Sequence, residues 1–200
     1  AQGGGNPVIP LLADLRAIAR DEAPAAVGPI HKAATSQDIL DSALMLMSAR
    51  ALETILADAY RAQSALADLA REHAETLSVA RTLTQHSLPS TFGLKAAQWL
   101  HGLGQATAAL EAAAAALPLQ WGGASGTMAA LTAAAETSAA SPLDLTADLA
   151  ARLGLADPVA PWQTNRLPVT ALGGALADLL AAAGKVSNDV LLLSRPEIGE

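Results

Sequence analysis

Apolar residues recur at three- and four-residue spacing over most of the chain. Leu40, Leu44, Met47, Ala51, Ile55 and Ala59 form one stripe, while Arg50, Glu53, Asp58 and Arg61 fall elsewhere, and no Pro or Gly intervenes before Pro89. The spacing predicts a helix from Ser36 to about Ala80, roughly 65 Å long at 1.5 Å per residue. A helix of that length needs a bundle around it. Around it the pattern predicts a short helix from Pro10 to about Arg20, ended by Pro24, Gly28 and Pro29. The segment His31 to Asp38 reads as a loop entering the long helix, with Thr35 or Ser36 as N-cap and Asp38 in the positive first turn. Further helices are predicted from Ser90 to about Ala116, stopped by Pro118, and from the turn at Gly122 to Gly126 through Ala140. Ser141 as N-cap, Pro142 in the first turn and Gly154 bound another, and the last runs from about Thr170 to Leu193.

Composition agrees with an all-α reading. Hydrophobic residues make up 52% of 200 positions and aromatic residues only 2%. Ala and Leu, the strongest helix formers, must therefore build most of the interior, while strands would want the scarcer aromatic and β-branched types. The absence of Cys excludes disulfides, a thiolate nucleophile and cysteine-ligated zinc. Lys+Arg 12 against Asp+Glu 19 gives a net charge of -7 without a basic cluster, which argues against a nucleic-acid partner. Mean hydropathy is +0.31. The most apolar stretch, Leu172 to Leu193, carries Asp178, Lys185 and Asp189, so no membrane span is expected. The first residues show no charged region followed by an apolar one, so no signal peptide is read there. Among His31, His73, His86 and His101 no pair has metal-ligand spacing, and no metal site is predicted.

Chemistry gathers in four polar segments: the Gly4-Gly5-Asn6-Pro7 turn, the His31–Asp38 loop, the Thr82–Thr91 segment and the Gln120–Thr127 glycine turn. The first and last read by themselves as turns. The hydroxyl pair Thr35-Ser36, together with free N–H groups at a helix start, could seat a carboxylate. Gln85 and His86 are neutral hydrogen bonders beside the next helix start. His73, among Arg71, Glu72 and Glu75, reads as solvated surface, and His101 as structural.

In order, Gly5-Asn6-Pro7-Val8-Ile9-Pro10-Leu11, His31…Ala34-Thr35-Ser36-Gln37-Asp38, Gln85-His86…Leu88-Pro89…Thr91-Phe92-Gly93-Leu94-Lys95, Trp121-Gly122-Gly123-Ala124-Ser125-Gly126-Thr127, Pro161-Trp162-Gln163-Thr164-Asn165-Arg166 and Lys185…Asp189…Glu197-Ile198-Gly199-Glu200 resemble the aspartase/fumarase superfamily of lyases. The likeness is strongest to its 3-carboxy-cis,cis-muconate cycloisomerase branch. The resemblance implies a long-helix bundle, with residues 1–35 part of an N-terminal domain, residues 36–200 the central bundle, and a C-terminal domain absent from this chain. It implies a cytoplasmic homotetramer that converts 3-carboxy-cis,cis-muconate, a small tricarboxylate, to 4-carboxymuconolactone without a cofactor, in the protocatechuate branch of the β-ketoadipate pathway. Asn6, His31, Thr35, Ser36, Gln85, His86, Ser87, Arg166, Lys185 and Asn188 would meet the substrate. The catalytic serine of the family lies on a glycine- and serine-rich loop expected after Glu200, so no proton donor is assigned within the chain.

Two departures from the family pattern matter. In its amino-acid and purine lyases the residue after Thr82 is a histidine that protonates the leaving group, and here it is Leu83. A hydroxide or amine leaves poorly without that acid, whereas a carboxylate with an acid pKa near 4 leaves unaided. The second departure is Lys32-Ala33, where relatives usually have an aromatic or other residue followed by Gly. The alternatives are another lyase of the superfamily, such as an adenylosuccinate lyase, or a catalytically silent helical oligomerisation core.

Overall fold

A computed structural model describes residues 5–135 and 140–200. Among the described residues the helices are α1 (Val8–Glu22), α2 (Ser36–Glu72), α3 (Phe92–Ala115), α4 (Ala129–Ala135), α5 (Pro142–Leu153) and α6 (Leu167–Leu193), with a short 3-10 turn at Pro24–Ala26. The predominantly helical fold holds as predicted. Strands β1 (Leu77–Thr82) and β2 (Gln85–Thr91) add one antiparallel hairpin.

That hairpin replaces two expectations, a helix to Ala80 and a loop over Thr82–Gly93. The long helix stops at Glu72 because the carbonyl of His73 is claimed from outside it, by the N–H of Thr76 at 3.2 Å and of Gly93 at 2.8 Å. The hairpin then turns on Leu83 and Thr84, both at positive φ (49° and 63°), the pattern of a type I′ turn. The register slips between Val79 and Arg81, and Pro89 pairs with Val79 at that irregularity, where a missing N–H is tolerated.

Other boundaries move less. Helix α1 starts at Val8, whose N–H is received by Asn6 Oδ1 at 3.0 Å, and α3 starts after Thr91, whose hydroxyl accepts from Leu94 N. Helix α5 has the predicted ends: Ser141 and Asp144 form a reciprocal capping box, and Gly154 closes it at φ 67°. The hydrogen bonds from Ser141 hold the Asp144 carboxyl below its ordinary pKa. Of the helix expected through Ala140, residues 129–135 are helical and 136–139 lie outside the described residues.

The chain forms two compact units. One comprises residues 1–50 and 115–168, with Val8, Met45, Leu119, Leu131, Ala150 and Trp162 buried. A parallel bridge between Pro118 and Ala156 brings its two loops together, through Leu119 N to Ala156 O and Ala156 N to Leu117 O. The other comprises residues 51–114 and 169–200. There Ala96, Trp99 and Leu193 pack with Leu66, Leu69, Phe92 and Val186, and Phe92 meets the rings of His73 and Trp99 edge-on at 5.3 and 5.9 Å.

Helix α6 corrects one expectation: by length and hydropathy it is long and apolar enough to cross a membrane. It also supplies Leu172, Ala175, Leu179 and Leu193 to the interior of the second unit. Its Asp189 accepts from the Trp99 indole at 2.7 Å and pairs with Lys185. Burial pushes the Asp189 carboxyl up, but the bonds from Lys185 and Trp99 outweigh it and the net shift is downward.

Candidate functional site

In the first unit, Asp38 is the organising residue. It is 2% exposed, on the first turn of α2, and its two oxygens accept four N–H bonds. Oδ1 receives Gln120 Nε2 at 2.9 Å and Gly122 N at 3.0 Å; Oδ2 receives Thr35 N at 2.9 Å and Gly123 N at 3.0 Å. One carboxylate thus ties the start of α2 to the glycine turn. Gln120, 1% exposed, passes the constraint on: its Oε1 accepts from Trp162 N at 2.7 Å, and its backbone exchanges two bonds with the Ser42 hydroxyl. The Trp162 indole donates to Leu119 O at 2.9 Å.

The next residues close the ring. Gln163 Nε2 donates to Gly123 O at 2.6 Å, and Gln163 O accepts from Gln37 Nε2 at 2.7 Å. Arg166 forks onto both oxygens of Asp41, at 2.7 and 2.9 Å, and lies 5.1 Å from the Trp162 ring centroid. That hydrogen-bonded carboxylate raises the guanidinium pKa above its ordinary value. The ring encloses a cleft of about 460 Å³ lined by Thr35, Gln37, Ser125, Gly126, Gln163 and Thr164 with Ala124 and Pro161.

Of the predicted residues in this unit, Thr35 lines the cleft and Ser36 opens α2 beside it. Thr35 stands at the N-cap of α2 as expected, its carbonyl accepting from Asp38 N and Ile39 N, while the side-chain bond at this helix start is made by the Asp38 carboxylate, which receives Thr35 N. The N–H groups of Thr35, Gly122 and Gly123 are spent on Asp38, so an anion at this helix start would meet those of Ser36 and Gln37, which have no intrahelical acceptor. Arg166 is forked onto both oxygens of Asp41 beside the cleft. Asn6 caps α1. His31 lies on a different, mostly apolar cavity of about 400 Å³ with Ile39, Leu46, Trp121 and Leu149, where its Nε2 is buried without a partner. Ala33 takes φ 60°, a left-handed conformation that glycine adopts more readily.

The remaining predicted residues belong to the second unit. Gln85, His86 and Ser87 are exposed on β2; alternation along the strand places Gln85 and Ser87 on one face and His86 on the other. Lys185 pairs with Asp189 on α6, and Asn188 is exposed beside them. Leu83 stands 94% exposed at the hairpin turn. The hairpin is braced by Glu200, which accepts from Arg81 at 2.6 and 3.0 Å and faces Lys95 at 3.5 Å.

The Arg81 hydrogen bonds hold the Glu200 carboxyl at about 2, below its ordinary 4.5. A depressed carboxyl pKa stabilises the fold fully above about 4.5 and loses that contribution as pH falls toward about 2. Thermal melts should therefore show Arg81→Gln less stable than the unsubstituted chain at pH 7, with the gap closing by pH 2. A gap independent of pH would exclude Glu200 as the partner responsible.

Sequence reasoning missed Gln163, Ser125 and Thr164 as cleft residues. The available signal was the glycine spacing Gly122-Gly123…Gly126, which marks a turn that something must fill.

A family profile described as "Lyase" matches residues 8–200. The chain is 44% identical over 98% of its length to a nitrosuccinate lyase of Streptomyces davaonensis, covering 41% of that protein. It is 41% identical over its whole length to a 3-carboxy-cis,cis-muconate cycloisomerase of Bradyrhizobium diazoefficiens, covering 43% of it. The crystal structure of the 3-carboxy-cis,cis-muconate lactonizing enzyme from Pseudomonas putida superposes with a TM-score of 0.88 at 35% identity, over 98% of this chain and 43% of that one. The chain thus spans about two fifths of the length of the relatives it matches.

Proposed function

The chain belongs to the lyase family, and on that premise we propose that it is the central helical part, with some of the N-terminal domain, of an enzyme that lactonises 3-carboxy-cis,cis-muconate. The observation that carries this reading is Leu83, exposed at the tip of a hairpin where the amino-acid and purine lyases of the superfamily have a proton-donating histidine. Leucine donates no proton, which suits a reaction whose leaving group, in the elimination direction, is the substrate's own carboxylate. In the forward direction that carboxylate is an intramolecular nucleophile, so holding it near the double bond supplies much of the rate. The Thr35 hydroxyl and the first N–H groups of α2 suit a second carboxylate of the substrate. No cofactor enters this chemistry.

The similarity to a nitrosuccinate lyase favours a second reading, elimination from nitrosuccinate, in which the departing nitrite is likewise a weak base. Assays with both substrates separate the two: loss of muconate absorbance with lactone formation is the expected result, and nitrite release without lactone would replace the first reading by the second. A requirement for Leu83→His before any muconate turnover would sink the cycloisomerase argument. Inertness toward both substrates would favour a silent oligomerisation core.

We also propose that the protein works as a cytoplasmic homotetramer. Support comes from the second unit, where Leu180, Val190 and Leu191 of α6 are exposed and an almost wholly apolar groove of about 530 Å³ runs past Ile55, Ala59, Leu66 and Leu103. Sedimentation should find a tetramer, and a stable monomer would count against it.

A further inference from the structure

The second unit has a cavity of about 450 Å³ lined from the hairpin, α3 and α6, and charge collects on its walls. Arg81 reaches it from β1, Lys95 from α3, and Lys185 and Asp189 from α6. Two of the three cations are engaged. Arg81 forks onto Glu200 at 2.6 and 3.0 Å, and Lys185 pairs with Asp189, which also accepts from the Trp99 indole. Lys95 has no such partner. Its one bond is a 3.5 Å contact to Glu200 Oε2, which already receives Arg81 at 3.0 Å and the Ser78 hydroxyl at 3.3 Å. Among the described residues no other acceptor reaches its ammonium, although the side chain is only 22% exposed. Three cations thus face two carboxylates, and one positive charge is left over in a chain whose net charge is -7.

An ammonium with three donors, withdrawn from most of its water and barely paired, favours an anion beside it. Ser90 and Gln98 line the same cavity and offer further donors. Val79, Leu94, Leu192 and Leu193 give it an apolar wall as well. A phosphate would gain nothing from those four side chains, and its second charge would exceed the single surplus one. We propose that this cavity binds a small organic monocarboxylate, with the carboxylate on Lys95 and the apolar body against Leu94 and Leu192. Lys95 is equally short of a partner whichever reaction the protein catalyses, so the site stands apart from the lactonisation reading.

Benzoate and benzamide have nearly the same shape and differ in charge, so each is titrated at low salt into the isotope-labelled chain and followed by NMR. Three indoles serve as reporters: Trp99 through its bond to Asp189 at this cavity, and Trp121 and Trp162 in the other unit. Benzoate should shift the Trp99 indole resonance and leave the other two unmoved. It should bind about ten-fold more tightly than benzamide, as expected of one hydrogen bond to a charged group. In Lys95→Met, which keeps an apolar stem of similar length, that preference should vanish; should the variant fail to fold, the shifts and affinities of the unsubstituted chain still decide. Equal affinities for the two compounds, or an unmoved Trp99 indole, would overturn the site. Phosphate displacing benzoate at equal concentration would overturn the monocarboxylate as its ligand.

Discussion

Asp38→Ala is expected to destabilise the unit built from residues 1–50 and 115–168 by about 3–5 kcal/mol, because it strands buried N–H donors that each cost about 1–3 kcal/mol when unpaired. The four donors come from three separate places: the loop before α2, the side chain of Gln120 and the glycine turn. Water entering the vacated space would satisfy some of them, which keeps the total below a simple sum. Asp38→Asn preserves the shape but turns an NH2 group toward two N–H groups, so it should cost about 2–3 kcal/mol. Trp121 and Trp162 lie in the same unit and report its unfolding in urea, since the Trp121 indole donates to Ala33 O and that of Trp162 to Leu119 O. A loss below 1 kcal/mol for Asp38→Ala would show that the glycine turn holds its place without this carboxylate.

Gly93→Ala should be comparably damaging for a different reason. A Cβ at this position would lie 2.6 Å from the carbonyl oxygen of His73 and 2.7 Å from both the Ala70 carbonyl oxygen and the Ala74 Cα. All three are backbone atoms, which cannot rotate away, so the start of α3 must part from the end of α2 and the 2.8 Å bond from Gly93 N to His73 O is lost. Overpacking of this kind costs about 3 kcal/mol. Gly102, in the same helix, is the control: nothing lies within 4 Å of its added Cβ, so Gly102→Ala should stabilise the chain by up to about 1 kcal/mol through helix propensity alone. Melting both variants side by side checks the argument. If Gly93→Ala melted with Gly102→Ala, the close approach of the two backbones would not exist in solution.

How legible each element is depends on where its cause lies. Helix α5 carries its signals within its own segment, with Ser141 and Asp144 at one end and Gly154 at the other, and its boundaries follow from them. The end of α2 carries no such signal. No Gly or Pro appears near Glu72, and the helix stops where the His73 carbonyl is taken by Gly93, twenty positions on. The hairpin hides for a related reason: Leu83-Thr84 lacks the Asn-Gly type of sequence that marks a two-residue turn, yet both residues adopt positive φ.

The site divides in the same way. Thr35 and the glycine turn are recognisable by residue type, and they do line one cleft. The pairing of Arg166 with Asp41, 125 positions away, is invisible in sequence, where a guanidinium in a polar motif looks the same with or without a carboxylate partner. Asp38 is hidden in the same way. It reads as an ordinary acid in a first turn, and its weight comes from Gln120, Gly122 and Gly123, more than 80 positions distant.

By itself the sequence determines the helical class through the spacing of its Leu and Ala residues, the family through the order of its polar segments, and, through a single side chain, that position 83 carries no acid. Those properties are local, set by contacts three or four residues apart or by the identity of one residue. Only the tertiary structure decides which buried polar groups satisfy one another, that Asp38 spends the glycine turn's N–H groups, that Arg166 pairs with Asp41, and that Lys95 is the surplus cation beside Glu200. A buried donor must find an acceptor wherever the fold brings one, and no periodicity along the chain records where that is.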